Sequence, residues 1–239
     1  MRQGIHALLI AGMTLASAAV AQNSLDVVTN IGGGGPQGQP EAPACVQEGA
    51  YGMRITGDDG FTNEAYVQAG ADVGVSDETT VRTTFWLNTD NFDTAVHGAR
   101  HFLLTTVGAQ QSRTFQVMYI RNKNLDKHQI RALCLRNCPT PPACARNITS
   151  TLDLAPGWNQ VMMEWAHNPS PAPAPPDGVC RLSIIAGGNA GASTSLPGRY
   201  NQYLVRQMRL GMSGGANIDP STQGEMCFDD FQSFRTLAP

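Results

Sequence analysis

From residue 45 onward the chain alternates apolar and polar residues with period two, and no long window carries the apolar stripe of a helix. Val81, Thr83, Phe85 and Leu87 take one phase while Arg82, Thr84, Trp86 and Asn88 take the other. Phe115, Val117 and Tyr119 alternate with Gln116, Met118 and Ile120, and Val161, Met163 and Trp165 with Met162, Glu164 and Ala166. Leu182 and Ile184 follow the same rule, and further strands are expected at 51–56, 65–68, 101–107, 130–135, 203–211 and 226–234. Roughly ten strands without crossover helices must pair antiparallel and pack as two sheets face to face. The expected fold is therefore all-β, a two-sheet antiparallel sandwich of jelly-roll type. The Pro-rich stretch 168–178 separates two strands that look like hairpin partners, and reads as an extended excursion of that hairpin.

The remainder of the chain sets the compartment. Of 239 residues, the first 21 read as an export signal: Arg2, an apolar run from Ala7 to Val20, and the small-x-small site Ala19-Val20-Ala21, with cleavage expected after Ala21. The run is too short to span a bilayer, so a secreted or periplasmic protein that is not membrane-embedded is expected. Residues 22–44, rich in Gly, Pro and Gln, read as a flexible linker, and 45–236 as the folded domain. The glycines Gly32 to Gly35 lack the Lys-Ser/Thr of a phosphate loop. A net charge of −3 argues against a nucleic-acid binder held by bulk positive charge.

Six cysteines in an exported chain point to three disulfides. Cys138 and Cys144 flank a short stiff loop, Cys45 and Cys227 lie near the two ends of the domain, and Cys134 would then be left with Cys180. A zinc site on Cys134, Cys138 and Cys144 is the sharper alternative, disfavoured by the absence of a CxxC pair and by the oxidising compartment.

Several segments carry a resemblance. Gly49-Ala-Tyr-Gly-Met-Arg-Ile55, Ala65-Tyr-Val67, Thr83-Thr-Phe-Trp-Leu87, Leu152-Asp-Leu-Ala-Pro-Gly-Trp-Asn-Gln-Val161 and Phe228-Asp-Asp-Phe-Gln-Ser-Phe-Arg235 resemble the concanavalin A-like lectin/glucanase superfamily, in its laminin-G-like bacterial branch. The resemblance spans Cys45 to Arg235. It implies a curved two-sheet jelly roll, often a carbohydrate-binding module and sometimes a glycan hydrolase or lyase; fold alone does not choose among these.

Catalytic signatures are sparse. There is no Glu-x-Asp-x-x-Glu strand to set paired carboxylates for glycoside hydrolysis. Glu48, Glu64, Glu78, Glu164 and Glu225 are scattered, and Asp229 and Asp230 alternate across a strand rather than forming a pair. Gly211-Met-Ser213-Gly-Gly215 matches a nucleophile elbow but has no following helix and no later histidine. His97 and His101 share a side without a third metal ligand and read as surface residues.

Binding signatures are stronger. Trp86, on the polar phase of its strand beside Arg82 and Asn88, is the candidate half-exposed platform for a sugar ring, with Tyr200 and Asn201 at a loop rim, the alternative being that a loop covers this face and Trp86 is simply packed; Trp158 and Trp165 read as structural. Residues 113–146 hold seven cations against Asp126 alone, which reads either as a basic sheet that attracts uronate-rich or phosphorylated glycans or as a solvated run whose alternating positions divide between both sides. The acidic turns around Asp58 and Asp59, and around Asp90 and Asp93, are candidate calcium ligands and also ordinary turn chemistry. The expected function is a lectin-like, non-catalytic glycan-binding module. The alternatives are a polysaccharide hydrolase or lyase with an atypical site, and a structural or protein-interaction module of the envelope.

Overall fold

The computed structural model describes residues 29–30, 39–40, 45–48, 52–56, 65–70, 78–94, 97–107, 113–135, 146–167, 178–196, 204–212, 215–216 and 222–234. Among them there is no α-helix and nearly every element is a strand. In chain order these are β1 (Thr29–Asn30), β2 (Gln39–Pro40), β3 (Met53–Thr56), β4 (Ala65–Gly70), β5 (Thr80–Asn88), β6 (Phe92–Asp93), β7 (Arg100–Val107), β8 (Phe115–Asn122) and β9 (Lys127–Leu135). They continue as β10 (Arg146–Ile148), β11 (Leu152–Asp153), β12 (Asn159–Ala166), β13 (Val179–Ala186), β14 (Ser193–Ser195), β15 (Gln207–Met212), β16 (Gly215–Ala216) and β17 (Gln223–Phe234).

The expected sandwich is present. A nine-stranded sheet runs β1-β4-β15-β7-β8-β9-β10, with β11 on β9 and β16 on β7. An eight-stranded sheet runs β14-β13-β12-β5-β17-β3-β2, with β6 on β17. All the pairings are antiparallel, and β12 and β13 are hairpin partners, Met163 facing Leu182 and Trp165 facing Cys180. Alternation delivers one side chain in two to the interior, where Phe85, Leu87, Phe115, Val117, Tyr119, Ile130, Val161, Met163, Trp165, Leu182 and Phe228 form one continuous core. Trp165 is fully buried there, as expected of a structural residue.

Two disulfides close the described structure. Cys134 on β9 and Cys180 on β13 join the two sheets through the core, with Cα atoms 6.4 Å apart. Cys45 joins Cys227 on β17 across 182 residues of sequence. A zinc site using Cys134 is thereby ruled out, since its sulfur is bonded to another; the Cys138–Cys144 pairing lies outside the described residues, as do the leader and most of the linker.

Two irregularities shape the sites. Register shifts between Phe102 and Leu104 on β7, so that Leu103 and Leu104 both enter the core and the phase of the strand start is reset. On β17 the ladder shifts between Asp229 and Gln232, with Asp230 at a φ of 43°.

Candidate functional site

On the nine-stranded sheet the core phase of β8 and β9 is Phe115, Val117 and Tyr119 with Ile130, Ala132 and Cys134. The opposite phase therefore faces outward, and there Phe102, Met118, Ile120 and Leu133 make a second, separate apolar cluster. Cations and amides surround it. Register places Phe102 opposite Met118 and Met118 opposite Arg131, while Arg100 stands opposite Ile120 and Ile120 opposite Gln129. One row away, Arg209 on β15 is the partner of Thr105, and Thr105 of Gln116. Arg209 lies between Met208 and Leu210, both core residues, so it projects to the same outer face.

Several polar contacts on this face run between neighbouring strands. Gln116 donates to the Thr105 hydroxyl at 3.2 Å, and Gln129 donates to Asp153 at 2.6 Å. Asp153 also takes Lys127, and these two bonds, Gln129 first, hold its carboxyl below the usual range. Arg113 lies over the Phe102 ring, 5.8 Å from its centroid. Arg131 reaches back toward the Met118 sulfur at 3.9 Å, and its Nε is buried with no hydrogen-bond partner. Burial, with a smaller contribution from the Arg100 charge, lowers the Arg131 pKa. A guanidinium with an unused donor, beside a second guanidinium, is an arrangement an anion relieves. Of the basic run at 113–146, then, the fold brings Arg113 and Arg131 to this face and adds Arg100 and Arg209 from strands remote in sequence. Arg121 instead pairs with Asp93 and Asp126 at the edge.

The expected site on the other sheet is closed. Trp86 is 8% exposed, not a half-exposed platform, and its indole N–H donates to Glu48 at 3.0 Å. Its cross-strand neighbour Asp229 accepts the backbone N–H groups of Gln47 and Glu48, both at 2.7 Å. The segment 45–48, tied to β17 by the Cys45–Cys227 bond, thus roofs the indole. Gly52 permits this approach, because a Cβ there would lie 1.6 Å from the Cys45 carbonyl oxygen. The carboxylate that receives the indole N–H, Glu48, is 38 residues away in sequence, and no local pattern points to it.

The remaining candidates resolve individually. Arg82 stacks on Phe234 at 4.3 Å, and Asn88 accepts the backbone N–H of Asp90 within its own turn. Asp90 takes the Gly157 amide with both oxygens, and Asp93 pairs with Arg121 and Lys123. Asp90 and Asp93 belong to no cluster of three metal-binding side chains among the described residues. Tyr200, Asn201, Asp58, Asp59 and Ser213 lie outside the described residues. His101 is not a surface residue: its ring is fully buried between Phe92 and Tyr119, because the bulge at Leu103 puts His101 on the core side of β7.

No family model and no curated protein matches this chain in sequence. Solved structures match in fold. Alginate lyase vAL-1 from Chlorella virus superposes with a TM-score of 0.51 at 12% identity, over 80% of this chain and 87% of that one. The alginate lyase from Klebsiella pneumoniae gives 0.50 at 9% identity, over 77% and 81%. The binding domain of botulinum neurotoxin serotype D/C gives 0.54 at 10% identity, over 89% of this chain but 45% of that one. At these identities the likeness is one of architecture: the two-sheet jelly roll expected from the strand pattern.

Proposed function

We propose that this protein is an exported, polysaccharide-active enzyme of the lyase type that takes an acidic, uronate-rich polysaccharide on the outer face of the nine-stranded sheet. The observation that carries the reading is Arg131, whose buried, unpartnered Nε sits in a field of arginines and amides with a single described carboxylate, Asp153, already held by Lys127 and Gln129. A uronate carboxylate set against Arg131 and Arg100 is neutralised by charge-assisted hydrogen bonds. That stabilises the negative charge which develops when the adjacent C–H is deprotonated, the first demand of an elimination. The architectural likeness to two alginate lyases supports this reading over a lectin-like module centred on Trp86. Export is supported by two disulfides among the described residues and by the leader read from the sequence.

A second reading, binding without turnover, is favoured by a specific observation. None of the described side chains on the outward phase of β7, β8, β9 and β15 is a histidine or tyrosine, the usual proton acceptors of such a reaction. The experiment that separates the two is incubation with polyuronates and with neutral glucans, followed by absorbance of the unsaturated product and by calorimetric binding. Unsaturated ends from a polyuronate support the lyase. Binding alone supports the second reading. Neither turnover nor binding, or either one undiminished in Arg131→Ala, overturns the assignment of this face.

A further inference from the structure

His101 takes no part in the glycan face, yet its surroundings are unusual for a histidine. The ring is 0% exposed and neither Nδ1 nor Nε2 has a hydrogen-bond partner. Its walls are aromatic: Phe92 meets it edge to face at 5.3 Å, and Tyr119 lies tilted at 6.1 Å. A neutral imidazole endures such a box with two unmade hydrogen bonds, whereas an imidazolium brings a full charge and two donors that need oxygen or water.

The charged and titratable groups on the elements around the box are engaged elsewhere. On β8, the Tyr119 hydroxyl is bonded to His128 Nδ1 of β9 at 2.8 Å, and Arg121 pairs with Asp93 of β6 and with Asp126. Lys123 also takes Asp93, and Asp90 holds the Gly157 amide. On β17, Glu225 pairs with Arg54 at 3.8 Å. The two residues of β16, Gly215 opposite His101 and Ala216 opposite Arg100, carry no ionisable group, and Arg100 on β7 itself is exposed. Among the described residues, no carboxylate is bonded to the His101 ring, and burial holds its pKa down at about 4.

One wall of the box is removable. Tyr119 lies within a long central strand, but Phe92 belongs to the two-residue β6, paired to β17 only through Asp93 with Gln223 and Phe92 with Gly224. The turn that carries it is held by the Phe92 amide on Thr89 at 3.0 Å, the Glu225 amide on Asn91 at 3.1 Å, and the Asp90 clasp on Gly157. Gly224, at a φ of 85°, fits because a Cβ there would sit 1.6 Å from the Asn91 oxygen.

We propose that the turn from Asn88 to Thr94 is an acid-released plug: when His101 takes a proton, Phe92 leaves the box, water enters, and the turn lets go of Gly157 while the two sheets remain paired. The event reaches the cationic face, since His101 sits between Arg100 and Phe102 on one strand. It does not depend on which glycan binds there, and its test contains none.

The test is hydrogen exchange on the full chain at neutral pH and near pH 4, corrected for intrinsic rates, with the His101 ring titrated by NMR. Opening of the Phe92 and Glu225 amides is expected to rise at least about tenfold relative to amides of the β12–β13 hairpin, with a midpoint that follows the His101 titration. His101→Phe keeps an aromatic ring and removes the proton acceptor, and its turn is expected to stay closed in acid. A wild-type turn equally protected at both pH values, or a His101→Phe turn that opens at the wild-type midpoint, overturns the proposal. Should His101→Phe not fold, the wild type decides alone: a turn that opens at a pH unrelated to the His101 titration refutes it.

Discussion

The two outward faces of the sandwich arise from one rule, alternation along a strand, and differ in where their acids fall. On the eight-stranded sheet the acids are supplied in place. Glu164, fully buried, holds Arg181 and keeps that guanidinium charged; Glu48 caps Trp86; Asp229 gathers three backbone amides, those of Gln47, Glu48 and Asp230. On the outer face of the nine-stranded sheet the one carboxylate that the described contacts bring in is Asp153, at the edge, and Arg131 Nε is left buried without a hydrogen-bond partner. The first face has most of its polar groups answered by its own chain, although Arg82 Nε is also buried there without a hydrogen-bond partner; the second gathers cations with one described carboxylate at its edge. Position in the fold, not the presence of an aromatic platform, is what separates a structural surface from a candidate binding surface here.

That contrast can be broken in graded ways. The largest effect is expected from opening the roof: replacing Cys45 and Cys227 together by serine removes a link across 182 residues and costs about 4 kcal/mol. Thermal melting should fall by roughly 10 °C and Trp86 emission should shift to the red, while glycan binding at low temperature is retained. If binding disappears with the roof, the two faces are not independent. Next is Arg131→Ala, expected to weaken polyuronate binding by about tenfold to a hundredfold, with Arg131→Lys recovering only part because a point charge does not reproduce the guanidinium fork. Calorimetry across a salt series checks it.

Acid stability gives an effect of similar size. His101 is unfavourable to protonate when folded, with a pKa near 4 against 6.5 when free, so above about pH 6.5 its titration takes nothing from stability. As pH falls through that range stability declines, by up to about 3 kcal/mol below pH 4, and His101→Phe should flatten the decline in denaturant melts. Smaller still is Trp86→Phe, which leaves Glu48 without its indole donor and should cost about 1 kcal/mol without touching glycan affinity. Smallest is Lys123→Ala, which removes a partly exposed pair with Asp93 and should change stability by less than about 0.5 kcal/mol, as read by the same melts.

Much of the architecture was legible because long strands announce themselves. The stretches around Val81–Asn88, Phe115–Ile120, Val161–Ala166 and Leu182–Ile184 all lie within observed strands, and the β12–β13 hairpin and both described disulfides match the expectation. Two-residue elements such as β6 and β11 were not, since period two has no meaning over so short a run. The candidate site was legible only in its charge. The basic run contains Arg113 and Arg131, but Arg100 and Arg209 join them through the strand order β15-β7-β8-β9, which no local pattern reveals. For Trp86 the sequence left platform and covered residue both open, because alternation states which side of a strand a residue takes, not whether a distant segment lies over it. His101 was misread because the bulge after Phe102 changes the phase of β7, and a one-residue shift exchanges inside for outside.

The Cys134–Cys180 bridge has a practical corollary. Both sulfurs belong to residues of zero exposure that hold opposing sheets together, so an external thiol can attack them only when the sandwich itself comes apart. The rate at which a mild reductant severs this one bond is thus a stopwatch for wholesale opening of the molecule, legible by mass alone and blind to fraying at turns and ends.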